Sequence, residues 1–197
     1  MYRHAAFRHH ARAGGYAFLS KAPLRERKYV PPRHGPFGLW TARTRLAGRD
    51  VQVAAVHLCP VVPRRGETLM RTFLRTEAVR AKEIAWLHEH LSAKLPVILL
   101  GDFNSPSTLT AGTFLARRGF VDSFASVTPD PDRHVTWHWR YQDVNWRFRI
   151  DYIFHPAALK TIRSRILRSE ASDHYLLVST LEWAPPRPTT APADADD

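Results

Sequence analysis

The stretch that most limits what this 197-residue chain can fold into is Pro96-Val97-Ile98-Leu99-Leu100-Gly101-Asp102-Phe103-Asn104-Ser105-Pro106. Four consecutive apolar residues between a proline and a glycine predict a short strand buried on both faces, so layers must cover it on either side. Gly101 permits a sharp exit, and Ser105-Pro106 closes the turn. Asp102 and Asn104 lie two residues apart, so an extended backbone aims both the same way. A carboxylate beside a neutral amide at the end of a buried strand suits the handling of water near a phosphate. Asp and Asn also favour turns, so this stretch alone leaves both readings open.

The flanking sequence supplies partners for such a strand. Residues 39–46 read as a strand, Ala47-Gly48-Arg49-Asp50 as a hairpin turn, and 51–58 as the returning strand, with Val51, Val53, Ala55 and His57 on one face. Residues 67–93 read as the clearest helix, because Leu74, Ala78, Ala81, Ile84, Ala85, His88 and Leu91 recur at helical spacing. A second helix spans 109–118 and stops at Gly119. Strands follow at 135–139, 145–154, 159–167 and 175–183, and an early one at 16–20. The aromatic residues Trp137, Trp139, Tyr141 and Trp146 offer faces on which bases could stack, and are expected rather in the core of alternating strands. The His- and Arg-rich residues 1–15 read as a flexible leader, 16–183 as one domain, and the Pro-, Thr-, Ala- and Asp-rich residues 184–197 as a disordered tail.

Composition narrows the function classes. Hydrophobic content of 44% and aromatic content of 11% exclude a disordered chain. A formal charge of +11 favours polyanionic partners: nucleic acid, phosphorylated metabolites or an anionic membrane surface. Cys59 is the only cysteine, so neither an internal disulfide nor a multi-cysteine zinc site can form. No apolar run approaches a membrane span, and residues 1–10 have no apolar core of a secretory signal. A cytoplasmic monomer is expected.

Three further polar spots fall at strand ends. His57 closes an apolar strand, Arg149 and Asp151 share a face of an aromatic strand, and Asp173-His174 precedes the last strand. Together with Asp102 and Asn104 they supply carboxylates, imidazoles and an amide, which is the inventory of phosphoester hydrolysis. The order Gly101-Asp102-Phe103-Asn104, then Arg149-Ile150-Asp151-Tyr152-Ile153-Phe154, then Ser172-Asp173-His174 resembles the endonuclease/exonuclease/phosphatase superfamily, which includes deoxyribonuclease I and abasic-site endonucleases. Val56-His57-Leu58, Thr136-Trp137 and the early strand up to Leu24 fit the same pattern.

The resemblance implies an α+β fold, a two-sheet sandwich flanked by helices like that of deoxyribonuclease I. It implies a metal-dependent phosphoesterase, nuclease-like, acting on a phosphodiester or phosphomonoester, with Mg2+ or Mn2+ as cofactor. It also implies roles. Asp102 would orient or deprotonate the attacking water. Asn104 would bind the scissile phosphate and fix Asp102. Asp151 would hold the tautomer of His174. His174 would act as general base, or as an imidazolium stabilising the pentavalent phosphorus. Asp173 would ligate the metal. His57 would contact the phosphate or protonate the leaving oxygen, and Arg149 would add positive charge to the cleft or pair structurally.

The sequence also departs from that pattern. The family's principal metal ligand is a glutamate in an early Gln-Glu strand end, with an asparagine before it, and there is no room for either ahead of Tyr16. The chain therefore reads as a family domain lacking its first strand–helix–strand unit, with open sheet edges and weakened metal binding, which leaves its activity in this form open. The alternative reading is a non-catalytic remnant that binds polyanions through its basic charge.

Overall fold

A computed structural model of the protein describes residues 1–10, 14–141 and 143–185. In chain order the first elements are strands β1 (His4–His10), β2 (Gly14–Ser20), β3 (Arg25–Val30), β4 (Leu39–Leu46) and β5 (Arg49–His57). Helix α1 (Leu69–Glu89), strand β6 (Val97–Asp102), helix α2 (Thr110–Ala116) and strand β7 (Phe120–Asp122) follow. The chain continues with β8 (Trp137–Tyr141), β9 (Val144–Phe148), β10 (Asp151–Pro156), β11 (Leu159–Leu167) and β12 (Leu176–Trp183).

Strand β6 is interior to a six-stranded sheet of order β3-β4-β5-β6-β10-β7. Its pairing with β5 is parallel, so a crossover is needed, and α1 supplies it. Alternate residues of the central strands serve opposite layers. Ala54, Val56, Val97, Leu99, Tyr152 and Phe154 pack with Ile84 and Leu87 of α1 and Leu115 of α2. The other face is covered by two ribbons. Phe18 and Ala6 of the β1–β2 hairpin pack on Trp40, Ala42 and Ala55. Leu159, Leu181 and Trp183 of the β11–β12 ribbon pack on Val51, Ile98 and Ile153. The result is an α+β sandwich, as the motifs imply.

Two backbone positions permit this. Leu46 pairs with Arg49 across a two-residue turn in which Ala47 and Gly48 have φ of 46° and 81°, both left-handed as a tight hairpin turn demands. Gly101 has φ of 139°, and a Cβ there would lie 2.0 Å from the Val56 carbonyl oxygen of the paired strand.

Three expectations are corrected. Residues His4–His10, read as part of a flexible leader, form a strand, because Ala6 and Phe18 of that hairpin find an apolar seat on Trp40. The helix covers Leu69–Glu89 rather than 67–93: Thr68 caps it by accepting the Arg71 N–H, and it ends before His90. Its inward face is also different. Leu74 is 61% exposed, while Thr72, Thr76, Arg80 and Glu83 are buried beside Ile84, Trp86 and Leu87. Apolar periodicity chose a neighbouring stripe because several inward positions serve backbone groups of the loop after β5: Arg80 donates to the Cys59 carbonyl and Glu83 accepts the Cys59 N–H. Of the expected tail, residues 186–197 lie outside the described residues. Among the described residues no helix is long and apolar enough to cross a membrane.

Candidate active site

Register alone assembles the centre of the site. His57 pairs with Asp102 across β5 and β6, and Asp102 pairs with Asp151 across β6 and β10. Residues opposite one another share a face, so the three side chains form a row toward the ribbon-covered layer. The row lies where parallel β5 and β6 end, the usual place for a ligand in an open sheet.

The fourth member arrives from the turn before β12. His174 Nδ1 is 2.9 Å from Asp151 Oδ2 and 3.1 Å from Oδ1. His174 Nε2 is 3.9 Å from Asp102 Oδ2, and His57 Nε2 is 3.6 Å from the same oxygen. Two imidazole edges thus bracket one carboxylate oxygen. His57 is stacked on Phe37, with ring centroids 3.9 Å apart.

Asp102 is held from its own turn. The Asn104 backbone N–H donates to Oδ1 at 2.8 Å, and its Nδ2 donates to Oδ2 at 3.0 Å and to the Leu58 carbonyl at 3.0 Å. Asn104 achieves this with φ of 50°, a conformation Asn tolerates. Both amide hydrogens of Asn104 are thus engaged within the protein.

Burial and the neighbouring Asp151 charge push Asp102 up to about 7, against the lowering effect of the Asn104 N–H and His174. For His174, burial favours the neutral ring, but the hydrogen bond and charge of Asp151 overcome it and raise the pKa above the ordinary imidazole value.

Asp173 stands one residue from His174. Its Oδ2 accepts the Trp137 indole N–H at 3.0 Å, and its carbonyl accepts the His138 N–H. Among the described residues no three His, Cys, Asp or Glu side chains converge on one cation position. A cation here would have to take one or two carboxylates and keep most of its water, since no closed cage is present among the described residues.

Arg149 is not brought to this centre. Its buried guanidinium donates to Asp122 Oδ2 at 2.6 Å, to Asp132 Oδ1 at 3.2 Å and to Ser107 Oγ at 3.0 Å. The expected cleft charge is therefore consumed in a structural ion pair, since a buried guanidinium must be matched by carboxylates.

Residues outside the predicted constellation hold its frame. Thr136, fully buried, accepts the N–H groups of both Ile150 and Asp151 at 3.0 Å and offers its carbonyl to Tyr175 N–H at 2.7 Å. It thereby ties Asp151 to the His174 segment. Phe37 and Arg80 are the others. Arg80 is fully buried, donates to the Cys59 carbonyl and pairs with Glu77. A buried arginine on an amphipathic helix carries no local signal that separates it from a surface one.

Comparison with known proteins gives a consistent answer. The model of the Endonuclease/Exonuclease/phosphatase family matches residues 2–174. No curated protein matches the chain. An endonuclease/exonuclease/phosphatase from Beutenbergia cavernae superposes with a TM-score of 0.65 at 21% identity, over 92% of this chain and 54% of that one. TDP2 from D. rerio, complexed with single strand DNA product, gives 0.67 at 15% identity, over 90% and 76%. The 3' phosphatase NExo from Neisseria, bound to product DNA hairpin, gives 0.61 at 19% identity, over 91% and 79%. At these identities the likeness is one of fold.

Proposed function

The chain belongs to the endonuclease/exonuclease/phosphatase family, whose members are hydrolases of phosphoester bonds, and from that premise we propose that it hydrolyses a phosphodiester or phosphomonoester of nucleic acid with a divalent cation. The observation that carries the reading is the row His57–Asp102–Asp151 with His174 closing on Asp151. The DNA bound to two relatives of the same fold and the +11 charge support nucleic acid over other phosphate esters.

The residues divide the work as follows. Asp102, ionised, accepts a hydrogen bond from the attacking water at Oδ2 and takes its proton, while Asn104 fixes the carboxylate plane. Asp151 keeps the proton on His174 Nδ1, so Nε2–H faces the reacting phosphoryl group and offsets its growing charge. His57, held against Phe37, presents Nε2 to the same space and donates to a phosphoryl or leaving oxygen. Asp173 would hold Mg2+ or Mn2+, which when bound neutralises phosphate charge and lowers the pKa of water.

The test is product formation from single-stranded DNA, RNA and a phosphomonoester with and without Mg2+. Asp102→Ala and His174→Ala should each remove turnover and leave circular dichroism unchanged. Undiminished turnover in either variant overturns the assignment. Salt-sensitive DNA binding with no metal-dependent product would favour the polyanion-binding reading instead.

A further inference from the structure

The β8–β9 hairpin has one feature that the hydrolytic centre does not use. Its register pairs Trp137 with Phe148 and Trp139 with Trp146. Opposed residues and those two apart share a face, so four aromatic side chains line one side of the ribbon. Trp137 is also the bridge partner of His174 in an antiparallel contact, which puts the imidazole on that same side. The rings form a track leading away from it: His174 to Trp137 at 6.4 Å, Trp137 to Phe148 at 6.2 Å, and Phe148 to Trp146 at 6.1 Å. This is not the core packing that alternation alone predicts, since Trp139 is 50% exposed and Phe148 40% exposed.

We propose that this hairpin face is a base-stacking arm for single-stranded nucleic acid, receiving the bases next to the phosphate held at the His174 centre; the proposal rests on the phosphoesterase reading above. Aromatic faces bind bases of any sequence, and a duplex would keep its bases stacked on one another instead. Charge agrees with this occupant. The chain as a whole carries +11, while Arg140 and Arg147 of the ribbon lie on its opposite face by the same register and so flank the aromatic track rather than line it. The same segment argues against a membrane. An inserting hairpin needs an apolar tip, whereas here the tip carries the almost wholly exposed Asp143, paired to Arg140.

The experiment measures binding in EDTA, so that no turnover intervenes. A fluorescein-labelled oligothymidylate is titrated with the full chain, with Trp139→Ala, with Trp146→Ala and with Trp139→Phe. Each alanine variant should bind about tenfold more weakly, and phenylalanine should restore most of the loss. The salt dependence should stay unchanged because no charge is altered. A matched duplex should be insensitive to both alanine changes. Alanine variants that bind oligothymidylate like the parent overturn the arm, as does tryptophan-dependent binding to phosphatidylcholine–phosphatidylserine vesicles in place of the oligonucleotide. Mg2+-dependent hydrolysis of a small aryl phosphodiester, run alongside, keeps the two readings separate. Hydrolysis without tryptophan-dependent DNA binding removes only the arm, and tryptophan-dependent binding without hydrolysis removes only the catalytic reading.

Discussion

Asp102 and Asp151 stand directly opposite each other on neighbouring antiparallel strands, two carboxylates that the β6–β10 register forces into one layer. Like charges in that position are unfavourable, and the protein contains the conflict by engaging each with a different partner. Asp151 is engaged by His174, and Asp102 by Asn104.

Removing one charge should relax the other. In Asp151→Asn the repulsion that helps hold Asp102 near 7 is lost, so its pKa should move down. Carboxyl NMR titration of Asp102 in the two proteins measures this. An Asp102 value that stays near 7 would show that burial alone sets it.

Stability should fall as pH rises through the same range. Asp102 has an ordinary value of 3.8 and a folded value of about 7, so the folded state binds the extra proton between those limits. Its contribution is whole below pH 3.8 and is lost by pH 7. Asp102→Asn should flatten the dependence of Tm on pH across that window while abolishing turnover.

Glu83 predicts a second slope of the same sign. Burial pushes it up to about 7, although the Cys59 N–H and Arg80 oppose this. Its Oε1 has no hydrogen-bond partner among the described residues, and Gly35 approaches it too closely for any side chain there. Stability from protonated Glu83 is present below pH 4.5 and lost on rising through about 7. Glu83→Gln should raise Tm at pH 8 by about 2–4 °C. Thermal melts at pH 5 and pH 8 check it, and an effect confined to pH 5 would reverse the sign.

Arg149 should matter for folding rather than for substrate. Arg149→Ala leaves Asp122 buried without its partner and should cost about 3–5 kcal/mol in urea denaturation. KM of the remaining folded enzyme should stay close to the parent value. A large rise in KM with little loss of stability would return Arg149 to the cleft.

Gly101→Ala should fold poorly or not at all. The added methyl group would meet the Val56 carbonyl, and the residue would be forced into a left-handed backbone. A soluble variant with an unchanged Tm would show that β5 and β6 separate readily there.

Much of this was legible from residues in order. The run 97–102, the hairpin turn at Ala47-Gly48 and the strands around them are local patterns, and the structure places strands there. The burial of Arg80 and the pairing of Arg149 were not legible. Whether an arginine is buried depends on which carboxylates arrive from elsewhere, here Glu77 and Asp122. The same holds for Trp139, where alternation gives the strand but not whether a second layer covers its outer face.

The sequence by itself determined that His57, Asp102, Asp151 and His174 would each stand at the end or edge of a strand, because apolar runs and turn residues mark those ends without outside help. Only the tertiary structure decided that they meet. Strand order and register are set by which apolar faces can be buried together over separations of tens of residues. That packing brings two imidazoles to one oxygen of Asp102 and leaves an aromatic ribbon uncovered beside them.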